Sequence, residues 1–591
     1  MRLVTFIIPS AIVGSASAAC SQSFDYIIVG GGTAGSALAT RLSLGLPKAQ
    51  ILLLEAGPSA LDELRINVPG LRGSILGTKY DWNFTTVDQD GLGGRQISVN
   101  RGKVLGGSSA MNYLCYDRAA AAEYEAWGEM GSEGWTWEAM IDGMNRSENF
   151  TGSDNDPRGR SGPIRNMYNR PMYELVDAWQ PAASELGLPI NEEGNMHGNP
   201  IGLMFQGTNI DNTNNYTRSY SANSYLPMAG PNLIIRTNAH VAKVNLDEAA
   251  DNHVLATGVT LSDGTVISAS KEVILSAGSV QSPGLLELSG IGQPGVLEKA
   301  GIETVINLPG VGENYQDHIR TSNIYRLKDH VDSFDALIFQ STGENATEEL
   351  QKWMDGEPSL YEYTTAAYGF LNWGQVDKDV QTDLLALAEA AVGKSTNPVD
   401  RKKLEFLRDE AVPDYELIYE ANYVGAAGYP GEGKYITVIS TVMHALSRGN
   451  VHIDPADPTG KPIIDPKFLD NEHDIKAAVE GAKFARKMAE SGPIKAFWDV
   501  ETEPGPETQT DAQFRHFAVG TVASFYHPVG TCSLLPKEDG GVVDANLTVY
   551  GTRNLRVVDN SIIPVIISGH IQTAAYGIAE VAAAKIIAGA Q

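Results

Sequence analysis

The chain has 591 residues, 42% hydrophobic and 20% charged, enough apolar material to bury a sizeable core and to exclude dominant disorder. Its 44 basic and 72 acidic side chains leave a formal charge of −28, which repels phosphate backbones and argues against a nucleic-acid partner. Glycine is frequent, at 61 residues, and implies many tight turns and close backbone approaches.

The first 19 residues read as a secretion signal. Arg2 gives the positive start, Leu3 to Val13 an apolar run broken by Pro9 and Ser10, and Ala16-Ser17-Ala18 a small-residue cleavage site. The run is too short to span a bilayer, and no later stretch reaches about 18 uninterrupted apolar residues, so no transmembrane segment is expected. Six N-x-S/T sequons begin at Asn83, Asn145, Asn149, Asn215, Asn345 and Asn546. Together with a signal they point to a secretory-pathway glycoprotein, destined for the exterior, the wall or a vacuole. Cys20, Cys115 and Cys532 are too few for a disulfide scaffold, and Cys532 reads as a small buried apolar residue.

Phe24 to Val29 predicts a buried strand, Gly30-Gly31-Gly32-Thr33-Ala34-Gly35 a turn into a helix reaching about Leu44, and Ile51 to Leu54 a second strand ending at Glu55. Gly30, Gly32 and Gly35 stand in the G-x-G-x-x-G frame, with an acid 20 residues after the last. That spacing suits a dinucleotide. Gly30 turns, Gly32 admits a pyrophosphate, Gly35 lets helix and strand pack, and Glu55 accepts from ribose hydroxyls.

Further on, Arg101 to Tyr113 holds Gly106-Gly107-Ser108-Ser109, a loop suited to run under a planar cofactor. Residues 150–170 look like a surface excursion. Ser262-Asp263-Gly264-Thr265 predicts a hairpin between Leu261 and Val266, and Val273 to Leu275 a buried strand. Gly278 to Gly292 and Leu308 to His318 are further glycine-bearing motifs. Residues 330–410 carry helical patterning, 415–455 read as sheet, Leu555 to Val558 as a strand, and Gln572 to Ala588 as an alanine-rich helix. Tyr526-His527-Pro528 and Ser568-Gly569-His570 bring two histidines into the C-terminal region.

In order and spacing these segments resemble the glucose–methanol–choline (GMC) oxidoreductases, FAD enzymes that oxidise alcohols; the character is closest to fungal aryl-alcohol oxidases. Both glycine-rich signatures are met, from Gly102 to Glu125 and from Gly278 to Gly292. The resemblance implies an α/β fold. A Rossmann-type FAD domain would occupy 20–325, a substrate domain on an antiparallel sheet flanked by helices 326–510, and 511–591 would complete the FAD domain and the active site.

It implies FAD held by Gly30, Gly32, Thr33, Ala34, Gly35 and Glu55, with the flavin over Gly107, Ser108, Asn112 and Tyr113. Val241 would meet the adenine, and Asp559 and Asn560 the ribityl chain. The helix start at Gln572 and Thr573 would aim free N–H groups at the flavin pyrimidine. Met111 stands where some members carry a flavin-linked histidine, so the FAD is expected to be non-covalent. No metal is expected.

His527 would be the base that takes the hydroxyl proton as hydride passes to flavin N5, and His570 would share the oxygen. The other nine histidines, His318 and His444 among them, are expected to be structural. Tyr113 and Tyr526 would line the substrate site. The expected partners are a small alcohol (aromatic, furanic or a secondary metabolite) and O2 or a quinone-type acceptor, in a monomer or homodimer. A sugar oxidase or dehydrogenase, a non-redox cyclase and a flavin-binding protein without catalysis are the alternatives.

Overall fold

The structure, a computed structural model, describes residues 23–152, 158–169, 173–248 and 253–590; the expected signal and Cys20 lie outside them. Strand β1 (Ser23–Val29) leads through the glycine turn into α1 (Thr33–Gly45) and then β2 (Ile51–Leu54). Gly30 has φ +105°, and a Cβ at Gly35 would lie 2.0 Å from the Gly30 carbonyl oxygen. Only glycines allow this approach of helix to strand.

Around that unit forms a seven-stranded sheet. α2 (Trp137–Ser147) lies between β2 and the remaining strands in sequence. β3 (Leu233–Arg236) pairs with β2 and β6 (Val266–Leu275) with β1, both in parallel. β4 (Val241–Glu248) and β5 (Val254–Leu261) form an antiparallel meander onto the first part of β6.

A second sheet uses β7 (Ile319–Leu327), β8 (Ala367–Leu371), β9 (Tyr415–Glu420) and β10 (Tyr435–Val442), in the order β8-β9-β10-β7 and antiparallel throughout. One face packs on α3 (Glu472–Glu490), with Tyr325, Leu417, Val438, Ala482 and Ala485 in a shared apolar cluster. β11 (Trp498–Glu503) and the short β12 (Ala523–Ser524) both pair with β7. The chain then returns to the first sheet, where β13 (Leu555–Val557) pairs in parallel with the end of β6.

The last helix, α4 (Gln572–Ala590), is apolar nearly all round because it is buried between α1 and α2. It is long and apolar enough to cross a membrane, yet 67% of its most apolar window is buried inside the protein. Gly143 and Gly577 let α2 and α4 meet closely, since a Cβ at Gly143 would fall 2.8 Å from the Gly577 carbonyl oxygen.

Among the described residues of the 150–170 segment, some are buried where a surface excursion was expected. Glu148 is fully buried between Arg118 and Arg158, and Ile164–Tyr168 forms a strand. The polar composition there supplies a buried ion network. Among the sequons, Asn83, Asn345 and Asn546 are exposed. The Asn145 Oδ1 accepts from Arg118 Nη2 at 2.9 Å, and the Asn215 Nδ2 donates to the Trp353 carbonyl at 2.7 Å.

Candidate active site

The two sheets bound a cavity of about 860 Å3. Its lining includes Gly30, Gly32, Thr33, Ala34, Glu55, Gly107, Ser108, Met111, Asn112, Tyr113, Val241, Tyr526, His527, Asp559, Asn560, His570 and Gln572. The glycine loops face each other there, for a Cβ on Gly107 (φ +53°) would fall 2.6 Å from the Gly32 Cα. Gly32 itself, at φ −80°, would meet nothing nearer than the Gly107 Cα at 3.7 Å. Its missing side chain therefore leaves space in the cavity.

Glu55 is almost fully buried. Its Oε2 accepts from Gly31 N–H at 2.9 Å and its Oε1 from Gly57 N–H at 2.7 Å. Burial pushes its carboxyl up to about 7 against the pull of those hydrogen bonds.

Gly35 and Thr573 do not line the cavity. Gly35 lies against Gly30 and shapes the helix–strand contact. Thr573 is 1% exposed and donates its hydroxyl to the Asp117 carbonyl, so it braces the start of α4 from behind. Gln572 and Asn112 reach the cavity but bond each other, with Asn112 Nδ2 donating to Gln572 Oε1 at 2.6 Å. The Asp559 carboxylate accepts from Gly278 N–H, Ser282 Oγ–H and Ser561 N–H, all within 3 Å, and so orders the loop beside the cavity.

At the other end His527 and His570 stand nearly perpendicular, ring centroids 5.1 Å apart, with Phe525 against both. Their electrostatics differ. Burial first, then the neighbouring His318, His570 and Arg101, drive His527 well below the usual histidine range. Burial also opposes charge on His570, but Asp117, Cys115 and Glu416 outweigh it and carry it well above that range. Asp117 holds the His570 Nδ1 with one carboxylate oxygen and accepts the His570 backbone N–H at 2.8 Å with the other. Glu416 Oε1 lies 3.6 Å from the His570 Nε2, too far for a hydrogen bond. Burial raises Glu416 to about 8, and neither of its oxygens has a hydrogen-bond partner among the described residues.

His318, expected to be structural, stands directly against the histidine pair. Its Nδ1 is 2.9 Å from the Nδ1 of His527, and it is fully buried. Beside it, Asp317 Oδ1 accepts the His527 backbone N–H at 2.8 Å. The Gln316-Asp317-His318 segment, legible as a motif but without an assigned task, thus sets the position of His527. Tyr526, just before it, adopts φ +62°, a strained conformation for a large side chain, and its carbonyl accepts from Arg101 Nη2. Tyr113 is 39% exposed, with the Arg72 guanidinium 5.6 Å from its ring centroid.

The chain is similar to known proteins along nearly its whole length. The GMC oxidoreductase N-terminal family profile matches residues 24–320 and the C-terminal profile residues 445–579. The chain is 35% identical to the GMC oxidoreductase family protein Mala s 12 of Malassezia sympodialis, over 96% of this chain and 93% of that one. It is 30% identical to pyranose dehydrogenase 3 of Leucoagaricus meleagris, covering 95% and 92%. The fold superposes on an FAD-dependent oxidoreductase from Chaetomium thermophilum with a TM-score of 0.85, 27% identity and coverage of 96% and 99%. Profiles at both ends and relatives along nearly the whole length place the chain in the GMC oxidoreductase family, as an FAD-dependent oxidoreductase.

Proposed function

We propose that the protein oxidises an alcohol to a carbonyl compound, with FAD held non-covalently and O2 or a quinone-type acceptor taking the electrons. The observation that carries this reading is the histidine pair: two imidazoles nearly perpendicular on one cavity, ring centroids 5.1 Å apart, in surroundings that push their proton affinities in opposite directions.

The cavity's far end fits the cofactor. Gly32 leaves room for a pyrophosphate and the α1 N-terminus has no side-chain cap, while Asn560, whose Nδ2 donates to the Ile571 carbonyl, has a buried Oδ1 without a partner among the described residues. Gly30, Gly32, Thr33, Ala34 and Glu55 would hold the dinucleotide, Val241 the adenine, and Gly107, Ser108 and Asn560 the flavin side. Met111, without a ring nitrogen, supports a dissociable cofactor. When bound, FAD supplies the hydride acceptor.

The protein's part is proton chemistry and orientation. Neutral His527 accepts the hydroxyl proton of the alcohol. Charged His570, clamped by Asp117, donates a hydrogen bond to the same oxygen and stabilises the negative charge that develops on it. The start of α4 brings backbone N–H groups to the cavity beside Gln572 and adds positive potential there. The sheet face below carries Tyr368, Ile418 and Ile439, an apolar floor that supports an aromatic or furanic alcohol. Similarity to a pyranose dehydrogenase favours a sugar as the second reading.

Passage through the secretory pathway belongs to the same proposal, supported by the leader sequence and by exposed Asn83, Asn345 and Asn546. The activity is tested by offering an alcohol panel anaerobically and watching the flavin absorbance. Bleaching supports the reading, and recolouring in air marks an oxidase. Turnover of a substrate without bleaching would point to a non-redox cyclase.

A further inference from the structure

Strand pairing arranges the cavity face of the second sheet in rows. Tyr368, Ile418, Ile439 and Ser322 stand side by side across β8, β9, β10 and β7. The next row holds Phe370, Glu416, Thr441 and Arg320, and the row on the other side holds Glu420, Thr437 and Ile324. An apolar strip thus runs between two polar borders.

On one border Glu420 is already neutralised. Arg72 Nη2 donates to it at 2.8 Å, and Thr365 donates its hydroxyl. Other buried arginines each have several acceptors. Arg118 and Arg158 share Glu148, while Arg218 donates to the carbonyls of Ile66 and Asn112 and Arg101 to those of Asn100 and Tyr526.

Arg320 differs. It lines the cavity, is partly buried, and makes one hydrogen bond, from Nη1 to Ser322 Oγ at 2.9 Å. A guanidinium has five N–H donors, so most of this fork is unused. The chain carries 72 carboxylates, and none of the described ones is in an ion pair with it. The remaining donors of this cavity-lining side chain are open to a bound anion, which can take the place of water there. Arg320 is also two residues from His318, roughly 7 Å along the strand, and so lies at the histidine end of the cavity.

We infer that Arg320 binds a carboxylate on the substrate, which would then be an alcohol whose hydroxyl-bearing carbon and carboxylate are joined by a short apolar spacer such as an aromatic ring. The planar fork meets a carboxylate through two parallel hydrogen bonds, the spacer lies on Ile418 and Ile439, and the hydroxyl reaches the histidines. This rests on the alcohol reading of the same cavity.

The test titrates benzoate and its neutral isostere benzamide into flavin-loaded protein and follows the flavin absorbance shift; 4-(hydroxymethyl)benzoate and benzyl alcohol are then compared as anaerobic reductants. The expected result is benzoate binding at least about ten-fold tighter than benzamide, a ratio that falls to near one in Arg320→Gln and is partly kept in Arg320→Lys. Equal affinity of the two probes in the parent, or a ratio unmoved by Arg320→Gln, overturns the inference. Should Arg320→Gln not accumulate as holoprotein, the parent ratio and Arg320→Lys decide. Flavin bleaching by benzyl alcohol with no benzoate preference removes the anion site alone. A benzoate preference with no alcohol reducing the flavin removes the alcohol reading and leaves the anion site in place.

Discussion

His318 and His527 face each other through their Nδ1 atoms at 2.9 Å, and burial holds both rings below the usual histidine range. Between two neutral imidazoles one Nδ1 must carry the shared proton. If His527 is to accept a proton at Nε2, the shared proton sits on its own Nδ1 and His318 is the acceptor. His318→Asn places an amide oxygen near the old Nδ1 position, whereas His318→Phe removes the acceptor. Flavin reduction should therefore slow by at least about ten-fold in His318→Phe and by less in His318→Asn, at equal flavin content. Equal rates in both variants would show that the contact only fills space.

The two histidines also set the pH profile. The simple expectation of a limb near neutrality is shifted by the structure: with His527 pushed well below 6.5, the fall in flavin reduction on acidification belongs below that value. His570 is held charged by Asp117, so its loss of charge limits the rate on the alkaline side. Asp117→Asn should bring that alkaline limb down toward neutrality. A stopped-flow pH series on parent and variant checks both limbs.

The glycines divide by task. Gly35→Ala should prevent folding, because its Cβ would sit 2.0 Å from the Gly30 carbonyl oxygen. Gly32→Val has room within the protein and a φ of −80° that any residue adopts, so it should fold but lose FAD. Circular dichroism and the flavin-to-protein absorbance ratio separate the two outcomes.

His452 bridges Glu287 and Glu313, with its Nδ1 at 2.7 Å from one and its Nε2 at 3.2 Å from the other. Burial opposes its charge, yet these carboxylates raise it to about 9. A raised folded-state pKa contributes stability that is complete below about 6.5 and disappears as pH rises through about 9. The contribution is on the order of 3 kcal/mol. His452→Gln should remove that pH dependence, as read by urea midpoints at pH 6 and pH 9.5.

Local pattern made much of this legible. The strand from Phe24, the glycine turn, Glu55 and the C-terminal helix all follow from periodicity and spacing over about 30 residues, and the histidines stand in recognisable motifs. What surrounds the histidines was not legible. Asp117, His318, Glu416 and Arg320 come together through β-sheet register and a loop far away in sequence, and no local rule ties residue 117 to residue 570. Residues 150–170 were read as surface because Arg158 resembles part of a solvated run until its pairing with the buried Glu148 is seen.

The central claim is that His527 takes the proton while charged His570 holds the oxygen, and its most direct test is anaerobic stopped-flow flavin reduction by an alcohol that bleaches the parent. His527→Ala should keep its FAD and slow reduction by about 10²- to 10⁴-fold, with His570→Ala also impaired and His570→Asn less so. Reduction of His527→Ala at near parental speed would contradict the account.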